Sequence, residues 1–325
     1  DGKGNDTLYM KVTPDSVKIT FKENASKSTK GGFLVGGLST GKGNYDLLNV
    51  TPDYTRVFFD TTAAKSTKGG FAVGGLGTNK ANDNVMQLTQ DNYLIGYEAG
   101  KNITTGKYNS FLGYQAGKMD VTGSWNTFLG YQAGMNTVGS DNTFIGYKAG
   151  KAHTSRGGNV YIGSKAGSDA INGLRNIAIG ESAGDSIINA ERNVILGFEA
   201  GYANKWGNDN VFVGTNSGRK NVYGANNTFI GTYSGFSNYQ GNQNVFVGSH
   251  AGRNLTIGNN NLFIGFEAGL NSNNCSDNVV LGTAAGKELV GAHRNVLIGG
   301  NAGGLMSNAG YNVFIGDSAG YSNQS

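Results

Sequence analysis

The side chains able to do acid–base, nucleophilic or metal chemistry are few in this sequence and poorly spaced for it. Its three histidines, His153, His250 and His293, fall in different repeats and different slots of the repeat set out below. A regular stack cannot gather them into a triad or a metal cluster. Cys275 is the single cysteine, so no internal disulfide forms and no Cys/His metal spacing exists. The acids do not follow the glycine–aspartate pattern of calcium β-rolls. The glycine-rich pieces near Gly31 and Gly69 lack the Lys-Ser/Thr ending and the helix that a phosphate loop needs. Catalysis, a metal and a resident cofactor are therefore not expected. One ordered set of functional side chains stands out: Tyr97, Tyr114, Tyr131 and Tyr147, followed by Glu98, Gln115, Gln132 and Lys148. In stacked coils these rings form a ladder at a spacing of ~4.8 Å. Such a ladder either holds a sugar or stabilises itself by ring stacking.

The element that positions those tyrosines is a repeat. Copies begin at Asn92, Asn109, Asn126, Asn142, Asn159, Asn176, Asn193, Asn210, Asn227, Asn244, Asn261, Asn278, Asn295 and Asn312. Every step is 17 residues except Asn126 to Asn142, which is 16. A period this short and regular specifies a solenoid, in which each coil stacks on the next and only the stack has a core.

Counting from the asparagine as slot zero, the slots divide by size. Slot three is aliphatic in all copies, for example Ile95, Leu129 and Ile264, and is read as the coil interior. Slot one, mostly Val or Thr, shares its face because strand side chains alternate. Thr on that face leaves no long outward hydroxyl row, which disfavours ice binding. Slots four and eight are glycine throughout, as at Gly130 and Gly134, and slot seven is Ala or Ser. These imply turns with positive φ or close backbone approach. The recurrent Asn is expected to bond along the stack and to cap the turns. Cys275 sits in a slot that mostly carries Gly or Ala and reads as a small buried filler.

Slot two then points outward. It holds Leu94, Phe111, Phe128, Phe144, Tyr161, Ala178, Ile195, Phe212, Phe229, Phe246, Phe263, Val280, Leu297 and Phe314. A wet stripe of this kind would forgo roughly 1.5–3 kcal/mol per large side chain. It must be covered, and the simplest cover is the same stripe on identical chains related by rotation. Phe111, Phe128, Phe144, Tyr161, Ile195, Phe212, Phe229, Phe246, Phe263, Leu297 and Phe314 are accordingly the expected oligomer interface.

Residues 1–91 carry a longer repeat. Val12-Thr13-Pro14-Asp15 returns as Val50-Thr51-Pro52-Asp53, and Lys27-Ser28-Thr29-Lys30-Gly31-Gly32-Phe33 as Lys65-Ser66-Thr67-Lys68-Gly69-Gly70-Phe71, each after 38 residues. The Pro-Asp steps are turn chemistry. Val17–Phe21, Thr55–Phe59 and Phe33–Val35 read as strands. The chain thus divides into 1–91 and 92–325, all-β, with no helix of ordinary length expected. Composition agrees: 55 Gly and 2 Pro in 325 residues, without a collagen triplet. A net charge of +4 from scattered Lys and Arg gives no nucleic-acid footprint, and no apolar run is long enough to cross a bilayer. The start at Asp1 and the repeats running almost to Ser325 read as an excised segment whose native chain continues.

The run Asn226-Asn227-Thr228-Phe229-Ile230-Gly231 and its thirteen relatives resemble the head repeat of trimeric autotransporter adhesins of the YadA-like type, whose motif is Asn-Ser-Val-Ala-Ile-Gly. The resemblance covers about 230 of the 325 residues. It implies a left-handed parallel β-roll in an obligate homotrimer, intertwined or side by side. Two departures, the period of 17 and Phe in slot two, imply a wider or differently packed trimer. The Tyr-Gln-Ala-Gly extension is also similar to repeats of phage-type tail fibres. The expected whole is an all-β solenoid of 14 coils preceded by two 38-residue β repeats. It serves as a non-catalytic spacer and display or attachment head of an extracellular fibre on a cell or virion surface. Its partners are itself and, through an attachment head, glycans or matrix proteins. A receptor-binding tail-fibre shaft and a carbohydrate-binding module built on the Tyr ladder are the alternatives.

Overall fold

The computed structural model describes residues 10–13, 16–19, 48–50, 55–57, 70–74 and 84–323. The chain forms two units, Asp1–Ala72 with Leu88–Gln90, and Val73–Gln87 with Asp91–Ser325. No helix occurs among the described residues.

In the first unit, Met10–Thr13, Ser16–Ile19, Leu48–Val50 and Thr55–Val57 form a four-stranded antiparallel sheet in chain order. Val12 lies opposite Val17 in one hairpin and Val50 opposite Thr55 in the other. Ser16–Ile19 and Thr55–Val57 overlap the strands expected at Val17–Phe21 and Thr55–Phe59, while Met10–Thr13 and Leu48–Val50 are strands that the sequence reading did not include. The turn residues themselves, the stretch Lys27–Phe33 and the strand expected at Phe33–Val35 lie outside the described residues.

The second unit is a parallel β-solenoid. Each coil from Asn92 onward contributes a strand of three or four residues, from Asn92–Ile95 to Val313–Ile315. Neighbouring strands pair slot on slot, Phe111 with Phe128 and Phe229 with Phe246. Each strand ends at the slot-four glycine. Gly130 has φ +137°, and a Cβ there would lie 2.4 Å from the Gly146 carbonyl oxygen, so only glycine lets successive coils close to ladder distance. The slot-eight glycine, for instance Gly134 at φ +57°, turns the chain beneath the ring of Phe128, where a Cβ would come within 2.6 Å. Between them, slot six takes the left-handed conformation with an ordinary residue, as at Gln132 (φ 55°).

Slot zero ties the coils together along the axis. The Asn126 backbone N–H donates to Asn109 Oδ1 at 2.9 Å, and its Nδ2 donates to Gly139 O in its own coil at 2.8 Å. The same pattern recurs at Asn227, whose N–H donates to Asn210 Oδ1 and whose Nδ2 donates to Gly241 O. The side chain therefore bonds to the neighbouring coil and caps its own last corner, as the sequence implied. The one 16-residue step is absorbed in that corner. Gly139 follows Val138 directly, where the preceding coil has Thr122 between Val121 and Gly123, and Phe128 still pairs with Phe144.

The alternation along each strand is as expected, but its direction is reversed. Slot two points into the coil: Phe111 through Phe263 and Tyr161 are at most 1% exposed within this single chain. Slot three points out, with Leu112 46% and Ile230 40% exposed. The physical reason is that slot two shares its side of the strand with the buried Asn of slot zero, so the Asn and the ring enter the core together. The core is a column of rings flanked by the slot-seven alanines and by slot eleven, which holds Asp120, Thr137, His153, Ala170, Ile187, Asn204, Asn221, Asn238, Leu255, Ser272, Leu289 and Met306, all at most 1% exposed. Cys275 is buried among them, as expected for a filler.

Candidate functional site

The residues expected to form an oligomer interface are instead the interior of one chain. Phe111, Phe128, Phe144 and Tyr161 stack in series, with centroids 4.6, 5.1 and 4.9 Å apart and planes within 8°. Phe212, Phe229, Phe246 and Phe263 form a second run at 5.2, 4.8 and 4.9 Å. Ile195 and Leu297 are fully buried in the same column, and Phe314 is partly buried at its end. The ground for expecting self-association through this stripe, that it lies uncovered, is thus removed by the chain itself.

The Tyr ladder has the expected geometry. Tyr97, Tyr114, Tyr131 and Tyr147 stack at 5.3, 5.1 and 5.5 Å with planes within 20°. Tyr114 and Tyr131 each have a neighbouring ring stacked on both faces, although the residues are 42–45% exposed. A sugar stacks on a free face, which the middle of this ladder does not offer. Beside the rings runs an amide ladder: Gln132 Nε2 donates to Gln115 Oε1 at 2.9 Å, and Gln115 Nε2 donates to Glu98 Oε2 at 2.8 Å. Lys101 and Lys118 clasp Glu98 at 2.5 and 2.6 Å, which holds its carboxyl down at about 2. Lys148 lies over the Tyr147 ring. Glu98, Gln115, Gln132 and Lys148 thus each have a partner within the protein.

The titratable groups inside the coil are isolated from one another. Burial pushes the Asp120 carboxyl up to about 6, against the Gly123 N–H at 2.8 Å that favours its charged form. Asp185 rises to about 6 through burial and the charge of Asp169. His153 is kept below its usual range by burial and donates from Nε2 to Arg156 O at 2.6 Å. Burial lifts the Cys275 thiol to about 12, which leaves it unreactive. His250 stacks on Tyr233 at an outer corner, and His293 accepts from the Ser276 N–H at Nδ1. The three histidines occupy three different slots. No group of three His, Cys, Asp or Glu side chains that could hold a metal exists among the described residues. An open hollow lies between Asp277, His293, Arg294 and Tyr311, but Arg294 bonds to the Tyr311 hydroxyl and approaches Asp277, so the hollow is closed on itself chemically.

Two features escaped the sequence reading. The first is the interior amide ladder of slot eleven, where Asn221 Nδ2 donates to Asn204 Oδ1 and Asn238 Nδ2 to Asn221 Oδ1, both at 2.7 Å. A recurrent Asn at one slot in three successive coils was the available signal. The second is the outward face of slots one and three. Slot one also faces outward, so the ground on which an outward hydroxyl row was discounted does not hold. The row is nevertheless broken, with hydroxyls at Ser110, Thr127, Thr143 and Thr228 among mostly aliphatic neighbours.

No protein-family model matches the chain, and no curated protein or solved structure does either.

Proposed function

We propose that the chain is a non-catalytic, rigid segment of an extracellular fibre, a spacer and display shaft on a cell or virion surface. The observation that carries this reading is axial continuity: the Asn ladder ties coil to coil with one repeated bond pattern, and two columns of rings stack along the same axis. Stiffness along one axis with no convergent reactive groups is what a shaft requires. Fourteen coils at ~4.8 Å give a rod of about 65 Å. The Tyr ladder acts in this reading as a corner brace. Trimeric adhesin shafts and phage-type tail fibres are both compatible with it, and glycans or matrix proteins would be met by regions the shaft displays.

The test is surface exposure in the producing organism. Antibody raised against this segment should label intact cells or particles as projections, and external protease should remove the label. Antigen confined to the interior of intact cells would overturn the fibre role. A glycan array with wild type and the Tyr114→Ala/Tyr131→Ala variant addresses the carbohydrate reading: binding lost in the variant would replace the brace with a sugar site.

A further inference from the structure

We propose that the outward face of slots one and three is an interface between two copies of this chain, packed sheet on sheet about a two-fold axis. Slot three is aliphatic in all fourteen coils, and slot one carries Val, Ile, Leu, Thr, Ser or Tyr; none of the 28 positions is charged. Leu112, Leu129, Ile179, Ile230 and Ile264 are 39–46% exposed on this face. Soluble chains seldom leave so long an apolar strip wet.

Three observations select a second copy as the occupant. The strip repeats with the period of the coil, so a partner must present side chains at that same spacing along its whole length. An identical chain does so by construction, and its rows fit the grooves between the rows of the first. The footprint is adequate as well. Fourteen strands at ~4.8 Å by three residues at ~3.3 Å cover roughly 650 Å² in projection. That is comparable with the roughly 800 Å² that each partner buries in stable pairs. The geometry then sets the number of chains. The strands that carry the face pair in register, slot on slot, from coil to coil, so the slot-one and slot-three rows run unbroken along it. One such face is covered along its whole length by one identical face across a two-fold axis, whereas around a three-fold axis no single partner face covers it whole. Pairing therefore stands in place of the three-fold assembly that the family resemblance implies. It stands or falls independently of the fibre role.

The experiment is the solution mass of the full chain by sedimentation equilibrium, for wild type and two sets of lysine variants. Wild type is expected at about twice 33.9 kDa. Leu129→Lys/Ile179→Lys/Ile230→Lys, on the face, is expected at the single-chain mass with an unchanged circular dichroism spectrum. Thr215→Lys/Thr232→Lys, on the adjoining exposed corner, is expected to remain paired. Should the triple lysine variant lose its fold, Leu129→Thr/Ile179→Thr/Ile230→Thr keeps strand propensity and is expected to weaken pairing at least tenfold. A wild-type mass of one chain or of three, or pairing undiminished in the folded face variants, overturns the proposal. A single-chain mass would leave the shaft reading intact, and interior localisation in the cell would leave the pairing intact.

Discussion

Phe128 and Phe144 stack with centroids 5.1 Å apart and planes 8° from parallel, although the coil that joins them is one residue short. The ring column is conserved across the step while the corner at Val138 and Gly139 gives way. The strand, the Asn ladder and the rings are therefore the fixed parts of the coil. The far corner is where the chain tolerates change in length.

Ala178 and Ile187 show how the column stays filled when slot two is small. Both side chains come against Gly184, where an added Cβ would meet Ile187 Cδ1 at 2.9 Å and Ala178 Cβ at 3.3 Å. Val280 with Leu289 at Gly286, and Leu297 with Met306 at Gly303, repeat the exchange. Ala178→Phe alone should overpack the coil and cost about 1–3 kcal/mol. With Ile187→Ala added, most of that loss should return. A double-mutant cycle by denaturant unfolding checks the coupling; additive losses would mean that the two slots do not share one volume.

Gly130 leaves no room for a side chain. Gly130→Ala places a Cβ about 2.4 Å from the Gly146 carbonyl oxygen at a φ of +137°. Backbone conformations of this kind cost of order 1–3 kcal/mol for a non-glycine residue, before the clash is counted. The expected result is a loss of at least about 2 kcal/mol and faster amide exchange at Gly130 and Gly146. An unchanged melting temperature would show that successive coils are not held at this distance.

Asp120 makes stability depend on pH in a direction opposite to most carboxylates. Its folded-state pKa is raised from 3.8 to about 6. Between those values the folded state holds a proton that the unfolded state has released, so the contribution of this group to stability is fully present below about pH 4 and is lost as pH rises through about 6. Slot eleven accepts an amide in other coils, at Asn204, Asn221 and Asn238. Asp120→Asn should therefore raise the melting temperature at pH 7 and leave it near wild type at pH 4. Melting curves at the two pH values check this; equal effects at both would mean that the carboxyl is not desolvated.

Much of this was legible in the residues. The recurrence of Asn, Gly and Ala at fixed slots gave the solenoid, the turns and the axial ladder, because each residue has a backbone or packing duty that few others can perform. The spacing of Tyr97, Tyr114, Tyr131 and Tyr147 gave the stacked corner. The side of the strand that is dry was misjudged, because period-two alternation fixes which side chains share a face but not which face is inside. Uniform aliphatic slot three looked like core, and variable slot two looked like surface. One signal lay within the repeats: where slot two is small, slot eleven is large, as with Ala178 against Ile187 and Val280 against Leu289. The mate of that outward strip has no counterpart in local sequence, since a partner surface leaves no spacing of its own.

Unfolding of Phe229→Ala and Ile230→Ala, adjacent residues on opposite sides of one strand, in solution dilute enough to suppress pairing, decides which side is core. Phe229, fully buried, should cost about 3–5 kcal/mol on truncation. Ile230, 40% exposed, should cost less than about 1 kcal/mol. The reverse order, with Ile230→Ala the damaging change and Phe229→Ala nearly silent, would contradict an aromatic interior.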